Sequence, residues 1–377
     1  MNTTDNIYQL AVAGVQSLIP YKGGKPIEEL ERELGLSHIV KLASNENPIG
    51  IGQKALAAIQ KASADLALYP DGNGYRLKQA LAAKYALDAS QITLGNGSNE
   101  ILELLARAFL TPKHEVIFSQ HAFAVYPIVT QAVGAKAVVV PAVNYGHDLD
   151  AMLASVTEHT RLIFIANPNN PTGTLLSQAD VKRFIAALPD TVICVLDEAY
   201  FEFVSGAALA DSAVEAINSI DWLKLYPNLI ITRTFSKAYG LAGLRVGYGL
   251  SSPQMADILN RVRQPFNNNA LALAAAEAAL DDIDHLQKTL QTNSQGMQQL
   301  TDGFKALGLE WIPSAGNFVS VDLKQPGQPI YEALLRKGVI VRPVGNYEMP
   351  NHLRISIGTQ VENQTFLNAL KDILADV

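Results

Sequence analysis

The chain has 377 residues, 48% of them hydrophobic and 17% charged, with a formal net charge of −7. At roughly 150 residues per domain this is about two domains' worth, and the composition excludes a disordered chain and a highly charged coiled coil. The acidic balance without a long basic run argues against a nucleic-acid binder, and one cysteine (Cys194) with seven histidines in no HExxH or CxxC pattern offers no metal framework.

The opening MNTTDNIYQLAVAGVQSLIP is interrupted by Asp5, Gln16 and Ser17 and reads as an N-terminal arm, not a signal peptide. Between about residues 50 and 265, short apolar runs alternate with amphipathic stretches, the sequence form of βαβ units around a mostly parallel sheet. Strands are predicted at QITL (91–94), EVIF (115–118), AVVVPAV (137–143), RLIFIA (161–166), TVICVL (191–196), NLIITRTF (228–235) and LRVGYGL (244–250). Helices are predicted at NEILELLARAFL, VYPIVTQAVG and SQADVKRFIAAL, the last with Ser177 as its N-cap.

After Pro265, NNNALALAAAEAAL and DDIDHLQKTLQTNSQGMQQLTDGFKALG read as successive helices. Strand-like NFVSVDL, GVIVRPV and LRISIGT then mix with helix-like QPIYEALLRKG and QTFLNALKDIL. The expected division is an arm and part of a smaller domain at 1–49, a large α/β domain at 50–265 and a smaller α+β domain at 266–377. No run reaches the about 20 apolar residues a membrane helix requires. A reducing, cytoplasmic compartment is the expectation.

Four segments suggest chemistry. In TLGNGSNEILELLARAFL a strand runs through Gly95 and Gly97 into a helix, so the amides of Ser98 and Asn99 can face an anion, or the turn can be an ordinary capped one. IANPNNPTGT (165–174) presents Asn169 or Asn170 at the sheet edge where open α/β sheets bind ligands. In TVICVLDEAYFEF, Asp197 ends a strand apolar on both faces and so calls for a cation or several donors; Cys194 in that strand reads as a small core residue. In ITRTFSKAYGLAGLRVGYG (231–249), Lys237 sits on a turn at the same edge and Arg245 opens the next strand. A partly neutral lysine is a nucleophile toward carbonyls, and a guanidinium fork suits a phosphate.

The motifs NPNNPTG, DEAY and SKAYGLAGLRVGY, in this order, resemble the fold-type I, pyridoxal-phosphate-dependent aminotransferases of class I and II. The segments PYKGGKPIEELERELGL, KLASNENPIG, YPDGNGYRLKQALA and LRISIGT are similar to those of the histidinol-phosphate aminotransferases, and in part to aromatic aminotransferases and threonine-phosphate decarboxylases. The resemblance implies a large domain with a mostly parallel sheet between helices plus a smaller α+β domain. It implies transamination of histidinol phosphate with 2-oxoglutarate, giving imidazole-acetol phosphate and glutamate. Aromatic amino-acid transamination and phosphothreonine-like decarboxylation are the alternatives. Transcription regulators that use this fold carry an added DNA-binding region, and no helix-turn-helix is recognisable here.

By the same resemblance, Lys237 bonds the cofactor aldehyde and later moves a proton, and Asp197 pairs with the pyridine nitrogen. Asn170 and Tyr200 bond the ring's phenolic oxygen, and Phe123 stacks on the ring. Gly97, Ser98, Asn99, Thr234, Ser236 and Arg245 hold the cofactor phosphate, joined by Tyr69 from a neighbouring subunit of a homodimer. Arg354, with Arg342 as a second candidate, grips the anionic end of the substrate, and Tyr21 and Asn47 line that end. No metal is implied.

Overall fold

The structure is a computed structural model, and it describes residues 3–21, 23–204 and 218–375. A seven-stranded sheet holds β2 (Ile92–Gly95), β3 (Glu115–Ser119), β4 (Lys136–Val140), β5 (Thr160–Ala166), β6 (Ile193–Asp197), β7 (Leu229–Thr234) and β8 (Gly247–Leu250). Their order is β2-β8-β7-β6-β5-β3-β4. The pairs β3–β4, β3–β5, β5–β6 and β6–β7 are parallel, and β8 runs antiparallel to both its neighbours. The mostly parallel sheet expected from the alternating pattern is present, and each of its seven predicted runs supplies a strand. The predicted ends shift by three residues in two runs: β4 stops at Val140 and not at 143, and β8 begins only at Gly247, after the short 3-10 helix Ala242–Leu244.

Successive side chains of a strand point to opposite faces. On β5 this sends Ile163 and Ile165 into one apolar cluster and Leu162 and Phe164 into another. Both faces are therefore covered, which explains why the inner strands read as unbroken apolar runs. The helix Ala270–Leu280 buries Ala272, Ala275, Ala276 and Ala279 in the first of these clusters, together with Ala55 from the helix Gln53–Ala62. Side chains this small let two helices approach closely. Although the sequence grouping sets this helix after the boundary at 265, its apolar face belongs to the core of the large sheet.

The smaller part contains an antiparallel sheet of order β12 (Arg342–Pro343), β13 (His352–Ser356), β10 (Phe318–Asp322) and β9 (Glu310–Ile312). Beside it β1 (Val40–Lys41) pairs in parallel with β11 (Val339–Ile340). The long helix Ile283–Ala306 and the helix Gln360–Ala375 cover this sheet through Leu300, Phe304, Phe366 and Leu370. Because β1 comes from the segment before the large domain, chain on both sides of the large sheet meets in one core.

One buried ion pair ties the ends of two central strands. Glu198 accepts from Arg233 Nε at 2.9 Å and Nη2 at 2.7 Å and from the Ser219 hydroxyl at 2.6 Å, and the guanidinium lies 3.4 Å from the centre of the Phe201 ring. Removing one partner of such a pair strands the other in low dielectric, so Glu198→Ala is expected to destabilise the apoprotein by about 3–5 kcal/mol in urea unfolding. A loss under about 1 kcal/mol, the size of a surface pair, would show that the pair is not holding the strands.

Candidate active site

Parallel strands send their C-terminal ends to one edge of the sheet, and the antiparallel β8 begins at that edge. Residues that follow β2, β3, β5, β6 and β7, and the residue just before β8, therefore converge there. They line a cavity of about 200 Å³ whose wall includes Ser98, Asn99, Phe123, Asn170, Asp197, Tyr200, Thr234, Ser236, Lys237 and Arg245. Tyr21, Arg342 and Arg354 close it from the arm and the smaller sheet.

Asp197 is buried at the end of β6, where one carboxylate oxygen accepts from Tyr126 Oη at 2.8 Å and the other from Thr232 Oγ1 at 2.9 Å. The parallel register sets Thr232 directly opposite Asp197. Tyr126 is fixed by stacking on Phe164, with centroids 4.5 Å apart and planes at 5°. Burial raises the carboxyl pKa, and the two hydroxyl donors oppose that shift. A cation in the cavity would favour the ionised form.

Lys237 lies on the turn after β7, and its Nζ donates to the Ser44 carbonyl at 3.0 Å. It also sits 5.8 Å from the centre of the Tyr200 ring. Burial, and after it the nearby Arg354 guanidinium, pushes the ammonium down from 10.5 to about 7. A substantial fraction of this amine is thus unprotonated at neutral pH, the state a nucleophile needs.

Arg354 comes from β13 and is buried. It donates through Nη1 to Asn170 Oδ1 and through Nη2 to the Ala43 carbonyl, each at 2.6 Å, while Nε has no hydrogen-bond partner among the described residues. A guanidinium can only donate, so it fixes the orientation of the Asn170 amide, whose Nδ2 then donates to Tyr200 Oη at 3.1 Å. Asn45 Nδ2 donates to the same hydroxyl at 2.8 Å. Burial pushes the Tyr200 phenol up to about 12, so it stays neutral. Arg342 faces the ring of Tyr21, 5.7 Å from its centre, at the outer side of the same cavity.

The opposite end is built for an anion. Ser98 and Asn99 open the helix Ser98–Phe109, whose first amides have no partner within the helix. Arg245 donates to Ser236 Oγ at 3.2 Å and to the Ala242 carbonyl at 3.1 Å, and Thr234 Oγ1 accepts from the Ser236 amide at 3.1 Å. Gly97 has φ +76°, and a Cβ there would collide with the Arg245 guanidinium. The left-handed backbone calls for glycine here, and any larger residue would also displace the Arg245 guanidinium.

Three expected residues are not in the cavity wall: Gly97, which precedes the lining residue Ser98, and Asn47 and Tyr69. Asn47 turns away: its Nδ2 donates to the Ala238 carbonyl and to Thr289 Oγ1, both at 3.0 Å, and its Oδ1 caps the amide of Ile49. Its neighbour Asn45, in left-handed conformation at φ +54°, faces the site instead. Tyr69 is 83% exposed and stacks on Phe266 at 4.7 Å, outside the cavity of its own chain. Asn169 is turned inward to the His121 carbonyl and Thr172, which leaves Asn170 as the asparagine of this turn that faces the cavity. Tyr126, Thr232 and Asn45 escaped the sequence reading. Of these, only Thr232 carried a signal, since pairing the two predicted strands in parallel can bring it beside Asp197.

The side chains suit pyridoxal phosphate, the group implied by the sequence resemblance. A buried carboxylate with raised pKa matches a cationic ring nitrogen, the amides and Arg245 match a phosphate, and the partly neutral Lys237 matches an aldehyde. The Phe123 ring, held edge-on to Tyr126 at 5.9 Å, supplies an apolar face.

Residues 37–370 match the sequence model for aminotransferase class I and II. The histidinol-phosphate aminotransferase 2 of Pseudomonas fluorescens is 60% identical over 368 residues, which cover 97% of this chain and 98% of that protein. The histidinol-phosphate aminotransferase 1 of Idiomarina loihiensis is 56% identical over 368 residues, 98% of each chain. Among solved structures, histidinol-phosphate aminotransferase from Sinorhizobium meliloti in complex with pyridoxal-5'-phosphate matches with a TM-score of 0.88 at 31% identity, covering 97% of this chain and 98% of that one.

The Tyr200 hydroxyl satisfies two amide donors at once, so Tyr200→Phe leaves both without their acceptor. Apoprotein stability is expected to fall by about 1–3 kcal/mol, measured by urea denaturation. An unchanged midpoint would mean that Asn45 and Asn170 are not held by this hydroxyl.

Proposed function

The chain belongs to the class I and II aminotransferases, and we propose on that premise that it exchanges an amino group between histidinol phosphate and 2-oxoglutarate. The products are imidazole-acetol phosphate and glutamate, so amine and carbonyl oxygen change places between two carbon skeletons and no external oxidant is needed. The observation that carries the reading is that the near-neutral Lys237 lines one cavity together with buried Asp197 and buried Arg354. The relatives at 56% and 60% identity narrow the substrate to histidinol phosphate.

Bound pyridoxal phosphate supplies a ring that withdraws electrons from the amine-bearing carbon. The chain's residues do the rest. Lys237 Nζ would hold the cofactor through its aldehyde and, as a partly neutral amine beside the substrate, would carry a proton to and from the substrate carbon. Asp197 keeps the ring nitrogen protonated by offering it a negative charge where water is excluded. Asn170 and Tyr200 orient the ring through its phenolic oxygen, and Phe123 covers one face. The amides of Gly97, Ser98 and Asn99, with Thr234, Ser236 and Arg245, hold the phosphate.

Arg354, whose side chain lines the cavity, takes the substrate's anionic end. Arg342 and Tyr21 stand beside it. The same position receives the phosphate of histidinol phosphate in one half-reaction and a carboxylate of 2-oxoglutarate in the other, since the guanidinium fork binds either.

We read the assembly as a homodimer in which Tyr69, exposed together with Leu66 and Leu68, completes the phosphate site of its neighbour. The reading places the protein in the cytoplasm. Among the described residues no helix is long and apolar enough to cross a membrane, and burial pushes the thiol of Cys194 up to about 12, which makes it inert.

A substrate panel tests this reading. With 2-oxoglutarate as acceptor, histidinol phosphate is expected to give the highest kcat/KM among histidinol phosphate, phenylalanine and phosphothreonine. Lys237→Ala is expected to lower it by about a thousandfold or more. A preference for phenylalanine, or carbon dioxide release from phosphothreonine, would overturn the substrate assignment.

A further inference from the structure

Three consecutive asparagines follow the helix Pro253–Val262 and do not line the cavity. We propose that Asn267, Asn268 and Asn269 are positioning residues that hold the phosphate-binding turn in shape through its backbone, an inference that rests on the reading of that turn given above. The turn needs such a hold. It contains Gly95 and Gly97, and glycines are the residues with most backbone freedom to lose.

The peptide between Gly95 and Asn96 is pinned at both ends. Its carbonyl accepts from Asn268 Nδ2 at 2.8 Å. Its N–H donates to the Glu100 carboxylate, and the same Glu100 oxygen accepts from Asn267 Nδ2 at 2.6 Å. Asn267 Nδ2 also donates to the Leu94 carbonyl at 3.2 Å, and its Oδ1 accepts from Arg263, which in turn donates to the Gly72 carbonyl at 2.9 Å. Asn267 thus keeps the Glu100 carboxylate on the Asn96 amide, directed away from an anion that it would otherwise repel.

Asn269 reaches the other wall of the site. Its Nδ2 donates to the Leu244 carbonyl at 3.2 Å, one residue before Arg245, which is itself held in left-handed conformation at φ +56°. Its Oδ1 caps the helix Ala270–Leu280 by accepting from the Ala272 amide at 2.8 Å. One run of three residues therefore anchors both the glycine turn and the segment carrying the arginine.

Asn268 is 4% exposed, and its Oδ1 has no partner among the described residues. An unmatched buried oxygen is unfavourable, so an amide at this position is explained by the donor it supplies to Gly95. Phe266 precedes the run at φ +56°, a conformation that bulky residues rarely adopt. A turn fixed before its anion arrives binds it more tightly because less ordering remains to be done.

The test compares pyridoxal phosphate with pyridoxal, which lacks the phosphate, for binding to the apoprotein, followed by absorbance in equilibrium dialysis. Asn267→Ala and Asn268→Ala are each expected to weaken pyridoxal phosphate by about tenfold while pyridoxal changes by less than about twofold. Unchanged affinity for pyridoxal phosphate, or equal weakening of both ligands, would overturn the proposal, since a general loss of structure does not single out the phosphate. Arg245→Ala is the control for the underlying reading. If that variant keeps the wild-type preference for pyridoxal phosphate over pyridoxal, the phosphate site is misplaced and the proposal falls with it. Should Asn268→Ala fail to fold, the half-buried Asn267→Ala carries the test.

Discussion

Four cationic side chains line one cavity, and two of them, Lys237 from the large sheet and Arg354 from the smaller one, have only neutral acceptors among the described residues. Charges taken from water and left without a counter-charge are unfavourable. Arg354 meets this with neutral acceptors, Asn170 Oδ1 and the Ala43 carbonyl, and Lys237 by giving up its proton near pH 7. The sign of the effect on stability follows. Between about 7 and 10.5 the unfolded chain holds a proton that the folded chain has released, so this group's contribution to stability rises with pH across that window. Below it the penalty is complete, and an anionic ligand is what relieves it.

The rest of the fold brings these two cations together. Lys237 needs the edge of the large sheet, and Arg354 needs the smaller one. The seam between them is a chain of hydrogen bonds through Asn170, Tyr200, Asn45 and Ser356. The residues at the seam come from widely separated segments, so the smaller domain is part of the site and not an appendage. In a chain of net charge −7, anion recognition comes from a few placed guanidiniums and amides and owes nothing to the overall charge.

How much of this the sequence disclosed depended on whether a residue's role is local. NPNNPTG, DEAY and SKAYGLAGLRVGY each sit at the end of a predicted strand, so strand prediction brought Asn169 or Asn170, Asp197, Lys237 and Arg245 to one edge, and the family resemblance chose Asn170 and added Tyr200. Tyr126 and Thr232 reach Asp197 across separations of 71 and 35 residues, and no local pattern marks either. Asn45 and Asn47 stand two residues apart in one segment, and only the left-handed backbone at Asn45 decides which of them faces the cavity. The helix Ala270–Leu280 was legible as a helix. Its membership of the large core was not, because alanine spacing says that a helix packs closely and not against what. The asparagine run likewise read as the first turn of that helix, whereas the helix begins at Ala270 with Asn269 as its cap.

The decisive measurement is the titration of Lys237 itself in the apoprotein, by NMR of ε-carbon-labelled lysine, alongside the Arg354→Gln variant. A midpoint near pH 7 is expected in the wild-type chain, with a higher midpoint in the variant because one of the causes of the depression has been removed. A midpoint at the ordinary lysine value of 10.5, or one that does not move with Arg354, would contradict the picture of a lysine held neutral by its cavity.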